Sequence, residues 1–541
     1  MNLRNPQSAQ TNNRGASPLR VVIVGGGTAG WMAAATLRRR LGCQVTLIES
    51  PNVPTIGVGE ATIPSLLDWL ENMGLDEQEF MQATGATYKL AIRFDNWIAP
   101  NHRYWHPFGI CGIRIDGVDI AHFWQRGMSE GWLTKNSAYT EFSLQRELCE
   151  ANTMAVDANN RPTIANYAFH LDAARLAKHL STLAQGEGVT RICSDVTGVR
   201  LDEEGAIESL QLADHPDVAG DLFIDCTGFA GVLIERALQV KWIDHSHQLL
   251  CDRAVVVRAP HTCTEIAPYT ISAAQEAGWA WRIPLEKNIG CGYVFSSNHI
   301  GSQRAEEQLL KHAGVDPATA STRELKMRIG CRQTSWHKNC IAIGLSSGFV
   351  EPLESTGIFM VQRALDDLVD CLPASCLPND LCQNDAAINS LSYKACNQTL
   401  FNARTRAVFD EIRDFVLLHY IVSQRDDSQF WKDARKVNIP DSLARFLEQY
   451  QELGRVQLDN PQPVFAEANH HFIMTGAGYR PANRLHAAKS HRAWQYPAQQ
   501  IRTLLNQTFW QNQRMAATSP SHRSVIATRE MTKTTDTPSF V

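Results

Sequence analysis

The 541-residue chain has no uninterrupted apolar stretch long enough to cross a bilayer, which argues against a membrane-spanning helix. Its most apolar early run, 21–37, is broken by Gly25, Gly26, Gly27 and Gly30. The basic cluster Arg38-Arg39-Arg40 follows that run, whereas a secretory signal carries its charge in front. Positive charge is not in excess either. A net charge of -5 offers no basic face to nucleic acid and no polybasic signal to anionic membranes. The 14 cysteines include no Cys-x-x-Cys pair and no regular framework, so a structural zinc site or a disulfide scaffold is disfavoured. Reduced thiols acting as small hydrophobes are expected. The vicinal pair His470-His471 has no third nearby ligand at the spacing of a known metal motif, and no metal is expected. There is no internal repeat. With 44% hydrophobic and 20% charged residues, the composition is that of a cytoplasmic globular protein with more than one subdomain.

What is present begins with a strand–helix–strand pattern: a buried strand over 19–24, a helix over 30–41 and a second strand over 45–49. That order argues for a parallel sheet. The stretch 66–162 has little further βαβ pattern but many aromatics, among them Trp97, Tyr104, Trp105, Phe108, Phe123, Trp124 and Trp132. It reads as an insertion building a substrate chamber. An amphipathic helix follows over 170–183, then strands near 197–201, 207–213 and 221–225, and a β-rich portion over 249–294. The sheet domain is expected to close with 340–345 and a helix after Gly357. Residues 384–513 read as mostly helical. The expected division is a disordered N-terminus (1–18), a core (19–65 and 163–375), a substrate region (66–162 and 376–516) and a flexible tail (517–541).

Gly25-Gly26-Gly27-Thr28-Ala29-Gly30 lies between the first strand and helix, with Glu49 about twenty residues on. This is the context a dinucleotide site requires. Gly25 permits the tight turn, Gly27 lets backbone approach a pyrophosphate, and Gly30 lets helix and strand pack. The helix N-terminus, including Thr28 and Ala29, offers free N–H groups to the phosphates. Glu49 suits a ribose hydroxyl. The segment 221–228 ends an apolar strand in Asp225-Cys226-Thr227-Gly228 and resembles the returning strand of flavoproteins, which favours FAD over NAD. Val196 stands where such folds touch adenine through backbone.

Three further segments carry chemistry. In Gly278-Trp279-Ala280-Trp281-Arg282-Ile283-Pro284 the two tryptophans alternate and would share one face of a strand; a core aromatic pair is the bland alternative. Lys89 lies among apolar neighbours after Gly57-Val58-Gly59-Glu60-Ala61-Thr62-Ile63-Pro64-Ser65, and an exposed lysine on an amphipathic strand is its bland alternative. The third is Gly348-Phe349-Val350-Glu351-Pro352-Leu353-Glu354-Ser355-Thr356-Gly357.

Together with the fingerprint, these segments resemble the flavin-dependent halogenases, the family that includes the tryptophan halogenases, over most of 19–370. The resemblance implies a flavoprotein-monooxygenase-like α/β domain interleaved with an aromatic-rich, largely helical substrate region. It implies FAD, reduced by a separate flavin reductase, with chloride or bromide as co-substrate, and with Ala61 among the cofactor contacts. Trp279 and Trp281, with Ile283 and Pro284, would bar an organic substrate from the flavin. Thr356 and Gly357 would hold halide there. Lys89 and Glu354 would act as catalytic residues on hypohalous acid and on the arene, and His106, Phe108 and Ser355 would contact the substrate. The departure is at 457–469, where the family's Tyr-Tyr and Phe-Trp pairs for gripping tryptophan are missing. An indole or other aromatic is therefore expected in preference to free tryptophan, with the protein a monomer or homodimer. A flavin-dependent aromatic hydroxylase and a non-catalytic flavin-binding protein are the alternatives.

Overall fold

The run Val21-Val22-Ile23-Val24 is apolar on both faces, as a strand covered from both sides must be. In the computed structural model, which describes residues 18–53, 59–134, 137–261, 264–372, 395–479 and 492–531, it forms strand Arg20–Val24 inside a six-stranded sheet. Strands Gln44–Glu49 and Leu222–Asp225 flank it in parallel register, Val21 lying opposite Val45 and Leu222. Cys340–Ala342 and Thr190–Cys193 extend the sheet, also in parallel. Helix Thr28–Leu41 packs against helices Ala173–Gly186 and Gly357–Cys371, burying Trp31, Met32 and Leu37. Gly42, at φ 64°, ends the first helix in the left-handed conformation that glycine adopts without strain.

A second, seven-stranded sheet positions the chemistry. Strands Gly278–Pro284, Tyr269–Gln275, Ala91–Asp95 and Arg103–Pro107 lie side by side in it. Trp281 pairs with Ser272, Ser272 with Phe94, and Phe94 with Tyr104. Three strand spacings, roughly 14 Å, therefore separate the tryptophan strand from the strand carrying His106. A small sheet joins Gly59–Ala61, Ala168–Asp172 and Thr87–Lys89. Thr87 donates to the Pro284 carbonyl at 2.7 Å, tying this sheet to the end of the tryptophan strand. The chain changes sheets at Leu90, whose N–H donates to Pro268 and whose carbonyl accepts from Phe108.

Two expectations are corrected. Of the aromatics assigned to a substrate chamber, only Phe108 lines the main cavity. Trp97 and Tyr104 pack on Phe94, and Trp97 also packs on Trp431. Phe123 and Trp124 form a separate cluster with Phe472. These rings are large apolar surface joining the sheet to C-terminal helices. The tail is not loose from 517. Helix Ala498–Thr518 is followed by helix His522–Met531, and His522 is buried. Its Nε2 accepts from the Tyr88 N–H at 3.1 Å and its Nδ1 donates to the Ile266 carbonyl at 2.8 Å. A short polar sequence docks here because one imidazole satisfies two buried backbone groups. Residues 1–17 and 532–541, with Gly57 and Val58, lie outside the described residues. Among the described residues no two cysteines are bridged, and no helix is long and apolar enough to cross a membrane.

Candidate active site

Lys89 is the last residue of its short strand, immediately before the chain leaves for the larger sheet, and it is fully buried. Its Nζ donates to the Thr62 carbonyl at 3.0 Å and to Ser355 Oγ at 2.8 Å, and lies 4.9 Å from the Phe108 ring centre. Burial pulls the ammonium down to about 7, against an upward pull from Glu354. A buried ammonium accounts for two of its three donors here, which leaves one for a guest.

Glu354 closes the 3-10 turn Pro352–Glu354, before Ser355 at φ 61°. A left-handed serine is a sparsely populated conformation, and strain of this kind concentrates at functional turns. The Glu354 carboxylate lies 2.9 Å from His106 Nδ1 and 2.7 Å from His419 Nε2. Burial alone would raise it, but His106 and His419 more than reverse that and hold it at about 2. It is therefore ionised at neutral pH. His419 Nδ1 donates to the Phe415 carbonyl at 2.8 Å, which fixes the ring. Its neighbour in the motif, Glu351, is also buried, beside Tyr420, Cys251 and Trp279. Desolvation pushes its carboxyl up to about 7.

A cavity of about 630 Å³ opens from Glu354. His106, Phe108, Asn166 and Phe465 line it, Phe465 stacking on Phe415 at 3.8 Å. Lys89, Trp279 and Trp281 are not in its wall. The two indoles are buried on their own strand with ring centres 6.0 Å apart. A Cβ on Gly292 would come within 2.1 Å of the Trp281 ring, so that glycine makes room for the indole. Ile283 and Pro284, further along the strand, are buried too. Thr356 and Gly357 begin helix Gly357–Cys371, which has no side-chain cap and no acid in its first turn; Gly357 faces open space.

The glycine fingerprint has a shape that fits a dinucleotide. Gly25 is at φ 114°, and a Cβ there would sit 2.3 Å from the Cys226 carbonyl oxygen. A Cβ on Gly30 would sit 1.8 Å from the Gly25 oxygen. Gly27 is different: it caps helix Thr28–Leu41 without a side-chain partner, and its missing Cβ points into open space. An uncapped helix N-terminus beside an unfilled space is what a phosphate needs. Gly26, which sequence reasoning passed over, leaves no room for a Cβ beside Glu49. Glu49 ends its strand paired with Arg191. Ala61 and Val196 are half-buried, on strands Gly59–Ala61 and Val196–Leu201.

Two assignments stand in a different light. Asp225 was expected to contact the cofactor, but Oδ1 accepts from the Thr227 N–H and Oγ1, and Oδ2 from the N–H groups of Leu233 and Ile234. Its carboxylate is spent on its own turn. Ser355 was expected at the substrate, yet its hydroxyl holds Lys89. His419 was missed altogether: it sits on helix Ala395–Ile421 with no local motif to mark it. Also missed were Arg114, Arg363 and Arg404, which line the cavity. Each faces acids: Arg114 faces Asp119 and Glu467, Arg363 faces Asp367, and Arg404 faces Asp367 and Asp370.

A family model described as tryptophan halogenase matches residues 20–492. Tryptophan 6-halogenase SttH from Streptomyces toxytricini is 37% identical over 473 residues, 83% of this chain and 86% of its own length. Tryptophan 7-halogenase RebH from Lentzea aerocolonigenes is 34% identical over 457 residues, covering 80% of this chain and 81% of its own. A solved structure of a flavin-dependent halogenase from Xanthomonas campestris is similar with a TM-score of 0.84 and 34% identity, over 95% of this chain and 98% of that one.

The open space at Gly27 makes a clean test of the phosphate site. Gly27→Val should fold, since nothing among the described residues lies within 4 Å of the added Cβ, and should lose FAD affinity by at least about tenfold. Unchanged affinity by flavin fluorescence titration would contradict the site. Lys89 carries a stability cost with a defined pH window. Between about 7 and its ordinary 10.5, the unfolded chain keeps a proton that the fold has released, so stability rises with pH there and the cost is complete below 7. Lys89→Met should raise unfolding stability by about 1–2 kcal/mol at or below pH 7. Denaturant titrations should show the gain shrinking toward pH 10.5; a pH-independent loss would refute it.

Proposed function

The chain belongs to the tryptophan halogenase family and is a flavin-dependent halogenase; we propose that it halogenates the indole ring of a tryptophan-like compound at the cavity beside Glu354. The observation that carries this reading is the convergence of buried Lys89, bonded to Ser355 Oγ, and ionised Glu354, the residue before Ser355, next to Phe108 and His106. FAD, reduced by a separate flavin reductase, supplies the oxygen activation that turns chloride or bromide into hypohalous acid. Gly25, Gly27, Thr28, Ala29, Gly30 and Glu49 would hold it, with Ala61 and Val196 contributing backbone contacts. Trp279, Trp281, Ile283 and Pro284 would exclude the indole from the flavin, while Thr356 and Gly357 offer N–H groups to halide. On this reading oxidation and substitution occur at different places, and the three strand spacings between the tryptophan strand and the His106 strand support it.

At the arene end, the third N–H of Lys89 donates to the oxygen of hypohalous acid, so that this oxygen leaves as water when the halogen bonds to carbon. Glu354 takes the proton that the substituted ring carbon gives up. Arene C–H and hypohalous acid become C–halogen and water. His106 and His419 keep the carboxylate ionised and aimed. Phe108 and Phe465 give the ring apolar walls. A cytoplasmic setting, where a reductase is at hand, accords with this chemistry.

Two measurements test it. With a reductase, NADH, FAD and bromide, Lys89→Ala should yield essentially no halogenated product, and Glu354→Gln should lose about 10²-fold or more. Since Lys89 acts as an ammonium, wild-type turnover should fall as pH rises through about 7. A fall on the acid side instead would assign the neutral amine, reacting as a haloamine. The second concerns the substrate. Segment 457–469 lacks the expected grip, and the arginines of the cavity already face acids, so an ammonium and carboxylate gain little there. Left unpaired, each costs roughly 1–3 kcal/mol. Indole, or a larger indole-bearing molecule, should show a higher kcat/KM than free tryptophan, with simple indoles substituted mainly at C3. Regiospecific benzo-ring products from preferred free tryptophan, read by NMR, would refute this.

A further inference from the structure

His470-His471 lies on helix Glu467–Gly476, and its two rings part company. His470 packs on Phe415 and Phe446, its Nδ1 3.2 Å from the Ala466 carbonyl. His471 turns to the other side, one helical turn from Glu467 and on the same face. There it meets His122, 345 residues away in sequence from Glu467, on helix Ile120–Glu130. His122 Nε2 lies 3.3 Å and His471 Nε2 3.5 Å from the same oxygen, Glu467 Oε1. The ligating atoms of the three residues are all within 4.8 Å of one another, and the two imidazole planes are 86° apart.

The His122 contact is a hydrogen bond at 3.3 Å, and both distances exceed the about 2.7–2.9 Å of a short charge-assisted bond. They match the edge of a tetrahedron, roughly 3.3 Å, around an ion bonded to nitrogen and oxygen at about 2.0–2.1 Å. We propose that His122, Glu467 and His471 form a divalent metal site of the zinc type, with the fourth position left to water. Two imidazoles and one carboxylate are a known three-ligand set for zinc. His471 is fully buried, and its Nδ1 has no hydrogen-bond partner among the described residues. Glu467 Oε2 faces Arg114 at 3.9 Å, leaving Oε1 for the ion. Arg114, Ala466, Ala468 and Asn469 line the substrate cavity, so the ion would fasten two helices behind one cavity wall.

The test uses the full chain without a histidine tag, stripped with chelator and then given Zn²⁺ or Co²⁺ alone. The wild type should retain about one Zn²⁺ per chain through desalting and melt at a higher temperature with it. Its Co²⁺ form should show the visible bands of a four-coordinate nitrogen and oxygen site. Glu467→Gln alters one partly exposed side chain without changing its shape, and His122→Asn removes a second ligand. Each should weaken Zn²⁺ binding at least about tenfold while keeping native circular dichroism. No retained zinc in the wild type would overturn the site. So would equal affinity in Glu467→Gln, or a sulfur-to-cobalt charge-transfer band placing the ion on cysteine.

Discussion

Burying a lysine and a glutamate beside one another makes demands on everything around them. Each charge taken from water must find partners or give up its ionisation. Lys89 finds the Thr62 carbonyl and Ser355 Oγ, and still its ammonium falls to about 7. Glu354 finds two imidazoles and stays ionised. The left-handed turn at Ser355, the sheet switch at Leu90 and the burial of His419 on a distant helix all serve that pair. The acid–base asymmetry follows from environment: one group is poised near neutrality, the other is fixed as a base.

The larger sheet supplies distance. Its strands run without interruption from the buried indoles of Trp279 and Trp281 to His106, across three spacings of roughly 14 Å. The cavity opens from Glu354, and neither indole is in its wall. Packing makes the separation rigid. Thr87 ties the lysine strand to Pro284, and His170 bridges Thr87 at 3.2 Å and Thr270 at 2.9 Å. The strand that ends in Lys89 is thereby anchored to the strand that carries the tryptophans.

Local pattern told most where function is written in contiguous residues. The glycine turn after an apolar strand, the Gly-Trp-x-Trp-x-Ile-Pro string and the Glu354 turn stand out in the sequence because their distinctive residues occur within a few positions of each other. The parallel sheet at Arg20–Val24 was legible for the same reason. Reading failed where one residue type fits two environments. An aromatic-rich stretch suits a binding chamber or a helix–sheet interface, and most of Trp97 to Trp124 went to the interface. A Ser/Thr/Lys-rich tail suggests disorder, yet His522 inside it satisfies two buried backbone groups.

The sequence by itself determined which groups are available: a glycine turn before a helix, two alternating tryptophans, one lysine and one glutamate among apolar neighbours. Only the tertiary structure decided which groups share a charge. His419 reaches Glu354 from 65 positions away, Arg114 reaches the cavity from outside any motif, and His122 meets Glu467 and His471 across most of the chain. Electrostatic partnership depends on separation in space and on the exclusion of water, and sequence spacing encodes neither once the chain has turned back on itself.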